Sequence, residues 1–122
     1  MRSGWLCALL LSSAGCAAMA GDSGTGPGPS SSVVQAALAD AARRSGEPAS
    51  ALVVMSAERV VWRDGSLGCP RPGMNYTQAL VPGYRVWIRA RDRMFDYHSG
   101  LRGAPILCPD GQAVDPLPDD SR

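Results

Sequence analysis

Residues 64–78 read D-G-S-L-G-C-P-R-P-G-M-N-Y-T-Q, from Asp64 to Gln78. Gly65, Gly68 and Gly73 open backbone angles closed to other residues. Pro70 and Pro72 fix their own φ and push Cys69 and Arg71 toward extended conformations. A stretch that mixes such freedom with such restriction is a shaped corner, not part of a regular element. Asp64 and Ser66 can close turns by bonding nearby backbone amides. Tyr76 and Gln78 are expected to bury ring and amide against the sheet on which the corner stands.

The flanks supply that sheet. Upstream, Ala51–Trp62 is dominated by β-branched residues with a polar break near Ser56, so it reads as one long bent strand or two short ones. Downstream, Tyr84–Arg91 alternates: Tyr84, Val86, Ile88 and Ala90 share one face, and Arg85, Trp87, Arg89 and Arg91 share the other. This is the pattern of a half-buried strand with a wet outer face, on which Trp87 lies beneath arginine side chains. Asp92-Arg93 is expected at the hairpin tip, and Met94–His98 as the returning strand with Phe95 and Tyr97 in the core. Pro105–Cys108 makes a last short strand.

Before the strands, Val33, Val34, Ala37, Leu38, Ala41 and Ala42 recur at helical spacing. A helix over Val33–Ser45 follows, with Ser32 as N-cap and Gly46 as stop. The expected fold is therefore α+β, with one N-terminal helix packed on a three- to four-stranded antiparallel sheet and one disulfide.

The chain begins with Met1-Arg2 and an apolar run, Trp5 to Leu11, followed by small residues through Ala20. This is the pattern of a secretory signal peptide over residues 1–20, and the run is far too short to span a bilayer. Two exits compete. Ser13-Ala14-Gly15-Cys16 resembles a lipobox, which would leave a lipidated Cys16, and Ala18-Met19-Ala20 is an ordinary A-x-A exit. The lipobox is preferred, because an exported free thiol at Cys16 would otherwise be an orphan. Acyl chains on Cys16 would hold the protein at a membrane without a spanning helix. Residues 21–32, G-D-S-G-T-G-P-G-P-S-S-S, read as a flexible tether. Residues 33–109 form the single domain. Residues 110–122, with four acids and two prolines, read as a disordered acidic tail.

A core this small usually needs a covalent staple. Once Cys7 departs with the leader and Cys16 is lipidated or removed, only Cys69 and Cys108 remain. Export places them where paired thiols persist. A Cys69–Cys108 disulfide is expected, worth about 4 kcal/mol for a loop of roughly forty residues on a chain-entropy argument. The alternatives are a redox pair, whose cysteines usually stand two residues apart, and a zinc site, which needs more ligands than two cysteines and one histidine provide.

Charge narrows the function classes. Residues 33–109 carry ten arginines against six acids, with no lysine anywhere. So small a surplus is no nucleic-acid footprint. Ser66 lies in G-S-L-G rather than the G-x-S-x-G of a nucleophile elbow, and His98 is the only histidine in the chain. A triad of Ser66, His98 and Asp64 or Asp96 can be composed, but nothing in the spacing demands it. The glycines follow no phosphate-cradle pattern, and no metal or cofactor is expected. His98, at a strand end, is expected to be a hydrogen-bonded structural residue. Arg71, between two prolines on a disulfide-anchored turn, has the preorganisation of a protease-inhibitor loop.

The same residues carry a resemblance. Glu58, Trp62, the run Asp64-Gly65-Ser66-Leu67-Gly68-Cys69-Pro70, Pro72-Gly73-Met74, Tyr76-Thr77-Gln78, Pro82-Gly83-Tyr84, Tyr97-His98 and Cys108 resemble a family of small exported bacterial proteins without assigned function. The resemblance spans about Leu38 to Cys108 and implies a shared fold and the disulfide, but no chemistry. The expected function is that of a non-enzymatic, lipid-anchored module of the periplasm or cell envelope. It would present the binding loop Asp64, Ser66, Arg71, Tyr76, Gln78 and His98 to an envelope protein or ligand, with no nucleic acid as partner. A protease inhibitor using Arg71 is the alternative, and a hydrolase using Ser66 and His98 comes third.

Overall fold

A computed structural model of the protein describes residues 31–118. The expected signal peptide, Cys16 and all but the end of the expected tether lie outside the described residues, as do positions 119–122 of the expected tail. The elements run in the order α1 (Ser31–Ser45), a short 3-10 turn (Ala49–Ala51), β1 (Val53–Trp62), β2 (Val81–Ala90), β3 (Arg93–Gly100) and β4 (Ile106–Cys108). The strands form one antiparallel meander in the order β1-β2-β3-β4. The architecture is α+β, one helix on a four-stranded sheet.

α1 starts at Ser31, so Ser32 stands in its first turn and not at the expected cap position. The far end is as read: Gly46 takes φ +74 and returns its N–H to the Ala42 carbonyl at 3.0 Å. Val33, Ala37 and Ala41 recur every four residues and bury one stripe against Val86, Ile88, Ala90, Phe95, Tyr97 and Leu52. The small alanine side chains allow close approach of helix to sheet. Tyr97 is buried with its polar end satisfied, its hydroxyl donating to Asp40 Oδ2 of α1 at 2.8 Å.

The long strand is single, and its bend is a bulge between Val54 and Ser56 that leaves Met55 outside the β1–β2 register. The β2–β3 turn is Arg91-Asp92, one residue earlier than expected, because Ala90 pairs with Arg93 and Arg91 takes φ +57.

The second face of the sheet corrects two expectations. It is not wet throughout: Arg85 is buried and Trp87 is half-buried, while Arg89 and Arg91, the latter now in the turn, are open to solvent. The Arg85 guanidinium lies over the Trp87 ring at 4.9 Å. Nor are residues 110–118 a loose tail. A turn closes from Gln112 N–H to the Pro109 carbonyl at 3.1 Å. The chain then docks, with Val114 N–H donating to Gly68 O at 2.8 Å and Leu117 N–H to Val61 O at 2.9 Å. Arg63 donates to the Asp115 carbonyl at 3.3 Å. Backbone pairing, which composition does not report, offsets the segment's acidity and prolines. The result is three layers: helix, sheet, and a cover made by the corner and the tail.

Gly83 and Gly100 face each other across β2 and β3. A Cβ at Gly83 would come within 1.9 Å of the Ser99 carbonyl oxygen, the acceptor of the Trp62 indole N–H at 2.9 Å. A Cβ at Gly100 would meet nothing nearer than 3.6 Å. Gly83→Ala is therefore expected to lower unfolding stability by about 1–3 kcal/mol, read as a drop in urea midpoint. Gly100→Ala should leave that midpoint nearly unchanged.

Candidate functional site

The corner 64–78 is tied down in sequence order. Asp64 Oδ1 accepts from the Ser66 N–H at 2.8 Å and from its hydroxyl at 2.5 Å, which holds the Asp64 carboxyl below its usual range. Gly65 N–H donates to Thr77 O at 2.8 Å and joins the two ends of the loop. Cys69 N–H donates to Ser66 O at 3.0 Å. Cys69 and Cys108 form the expected disulfide, with Cα atoms 5.6 Å apart. Their pairing across 39 positions is worth about 4 kcal/mol on the chain-entropy argument.

Beneath this corner lies a buried polar stack. The Trp62 and His98 rings are stacked with centroids 4.4 Å apart. His98 Nδ1 donates to the Leu67 carbonyl at 2.6 Å, and Nε2 lies 3.0 Å from Asp96 Oδ1, close but poorly aligned for a hydrogen bond. Asp96 in turn accepts two hydrogen bonds from Arg85, at 3.0 and 2.8 Å. Arg85 reaches on to Asp115 of the tail at 2.9 Å. Burial alone would raise the Asp96 carboxyl, but the neighbouring His98 ring and the Arg85 guanidinium outweigh it and hold the group below the carboxylate range. The hydrogen bonds that Arg85 donates to Asp96 push its guanidinium upward against the opposing effect of burial, and the bond to Asp115 adds to that push. One line of contacts thus joins tail, β2, β3 and corner.

This geometry redistributes the residues expected to form the binding loop. Ser66 and His98 are buried, His98 completely, so neither can meet a partner. They lie on the inside because their polar atoms serve the corner and the stack. Asp64 and Tyr76 are half-buried, and Arg71 and Gln78 are exposed. Tyr76 and Gln78 do not pack their polar ends on the sheet: Tyr76 Oη accepts from the Arg71 N–H at 2.9 Å, and the Gln78 amide donates to Tyr76 O at 3.1 Å. Ser66 and His98 share no hydrogen bond, since each is engaged elsewhere. Sequence reasoning missed Arg85, Asp96 and Asp115. Once the hairpin register is set, Arg85 and Asp96 become diagonal neighbours of opposite charge on one face, and that was the available signal.

The exposed tip is Arg71-Pro72-Gly73-Met74. Met74 N–H donates to Arg71 O at 3.2 Å, with Gly73 at φ +77, as a turn with proline second and glycine third requires. No group of three His, Cys, Asp or Glu side chains among the described residues is placed to hold a metal. No helix among them is long and apolar enough to cross a membrane.

A family described as a domain of unknown function, DUF8738, matches residues 34–108. The chain belongs to this family. The matched span opens in α1 and closes at the second cysteine of the disulfide, so it takes in the corner, the stack and the whole sheet, and the docked tail follows it. No curated protein and no solved structure matches the chain.

Asp96→Asn, which leaves Arg85 buried with a weakened partner, is expected to cost the DUF8738 domain about 3 kcal/mol. The pH dependence follows from the lowered Asp96 and Asp40 carboxyls. Their stabilisation is complete above the unfolded carboxyl value of about 4 and is lost as pH falls through the lower folded values. Chemical denaturation from pH 6 down to pH 2 should show falling stability in the native protein and a shallower fall in Asp96→Asn.

Proposed function

We propose that this protein is a non-enzymatic module of the cell envelope. It is exported by its leader, held at a membrane through acylated Cys16, and presents the tip Arg71–Met74 to a binding partner. One observation carries this reading. The corner is immobilised from within by the disulfide and the Trp62–His98 stack, while Arg71 and Met74 stand open to solvent, Met74 at 59% exposure. Preorganisation of that kind lowers the ordering cost of binding. The hydrolase alternative has less support, because Ser66 bonds Asp64 and His98 bonds Leu67.

The inhibitor alternative is weakened by the backbone of Arg71. A peptide that lies in a cleft as an added strand must keep its N–H and C=O groups free to pair. Here the Arg71 N–H is donated to Tyr76 and its carbonyl accepts from Met74.

A photoreactive residue at position 74 of the full chain, irradiated in intact cells, is expected to give a discrete cross-linked adduct that Arg71→Ala diminishes. The same residue at exposed position 101 should give none. Adducts at both positions alike, or at neither, would remove the support for a presenting tip. Ser66→Ala and His98→Ala should affect stability, and a trypsin-like protease should keep its activity at micromolar protein.

A further inference from the structure

Three arginines from three different elements meet at one opening. Arg44 comes from the last turn of α1, Arg71 from the corner and Arg93 from the start of β3, and they line a cleft of about 400 Å³. Leu107 and Cys108 supply wall, and Asp110 stands among the lining residues. Each arginine is held by something other than its neighbours in the cleft. Arg44 pairs with Asp40 at 2.6 Å, Arg93 lies over the Phe95 ring at 4.5 Å, and the Arg71 backbone is fixed at both its N–H and its C=O. Cys108 is pinned by the disulfide.

We propose that this cleft binds a phosphate group, carried by a phospholipid headgroup or by a small phosphorylated molecule. The proposal rests on the reading of the corner as a binding surface and names what part of that surface meets. Charge favours an anion. Arg44, Arg71 and Arg93 line the cleft with Asp110, and Asp40, which Arg44 bonds, is shared with Arg43, so 4 − 2 leaves two net positive charges around the opening. Geometry favours phosphate over carboxylate. One arginine fork satisfies a planar carboxylate, whereas donors arriving from three elements suit a tetrahedral group with several acceptor oxygens. The volume admits a headgroup or small ligand, at the lower end of the range for such sites. Fixed walls mean that little ordering is left to be done on binding.

The test uses the purified full-length mature chain. Calorimetric titrations are run with inorganic pyrophosphate and with dibutyryl phosphatidylglycerol as a soluble headgroup probe. Saturable binding is expected for at least one probe, weakened at least fivefold by Arg71→Ala and by Arg93→Ala, and unchanged by Arg102→Ala on an exposed site outside the cleft. Binding should also weaken with rising salt. Binding of phosphatidylglycerol assigns the cleft to a lipid headgroup, and binding of pyrophosphate alone assigns it to a phosphorylated solute. The absence of saturable binding to both probes, or binding indifferent to both variants, overturns the proposal. Arg93 separates this from the presenting tip. If neither probe binds while the position-74 adduct persists, the cleft proposal fails and the tip reading stands.

Discussion

Arg85 and Asp96 are opposite charges buried together on the sheet face turned away from the helix, joined by bonds of 3.0 and 2.8 Å. Removing two charges from water is costly, and only good geometry with further partners offsets it. The geometry comes from the β2–β3 register, which sets the two residues diagonally. The further partners are His98 on the Asp96 side and Asp115 on the Arg85 side. Each brings a covering segment with it. His98 bonds the Leu67 carbonyl of the corner, and Asp115 belongs to the docked tail. The pair therefore requires a cover, and the cover in turn keeps the pair dry.

The two faces of the sheet are held by different physics. Against α1 the contact is apolar apart from the Tyr97–Asp40 hydrogen bond, built from Val33, Ala37 and Ala41 on Val86, Ile88, Phe95 and Tyr97. Such a face tolerates small shifts. The other face is directional: ring stacking, charge-assisted hydrogen bonds and a covalent link converge within a few residues. Directional contacts specify position more tightly than apolar packing does. The irregular corner lies on the directional face, where a segment with no regular backbone ladder of its own most needs external bonds.

The helix, the alternation of β2, the core faces of Phe95 and Tyr97 and the cysteine pair were legible in the sequence. Each rests on a period or on an inventory of few members. The covered face was not. Alternating arginines read as solvated because most such residues are, and only the Asp96 partner on the next strand changes that. Residues 110–118 read as disordered from their acids and prolines, yet Val114 and Leu117 dock through backbone groups that every residue possesses. His98 was legible as a structural histidine from its isolation, but its burial was not, because the alternation of β3 put it on the face expected to be wet.

The left-handed pair Leu67-Gly68 shows how tightly corner and sheet are coupled. Gly68 adopts φ +69 freely, but Leu67 at φ +56 is strained by its side chain. Such strain, of order 1–3 kcal/mol, persists only where the surroundings over-determine it. Leu67 is held on one side by its N–H bond to Asp64 O at 3.3 Å and on the other by its carbonyl on His98. At Gly68 an added Cβ would fall 2.4 Å from the Trp62 ring and 2.5 Å from the Val114 carbonyl, so the backbone itself fills the space between stack and tail. Consecutive carbonyls consequently point to different layers, Leu67 O to the sheet and Gly68 O to the tail. The exposed turn beyond Pro70 inherits its position from this buried joint, to which the disulfide at Cys69 ties it directly.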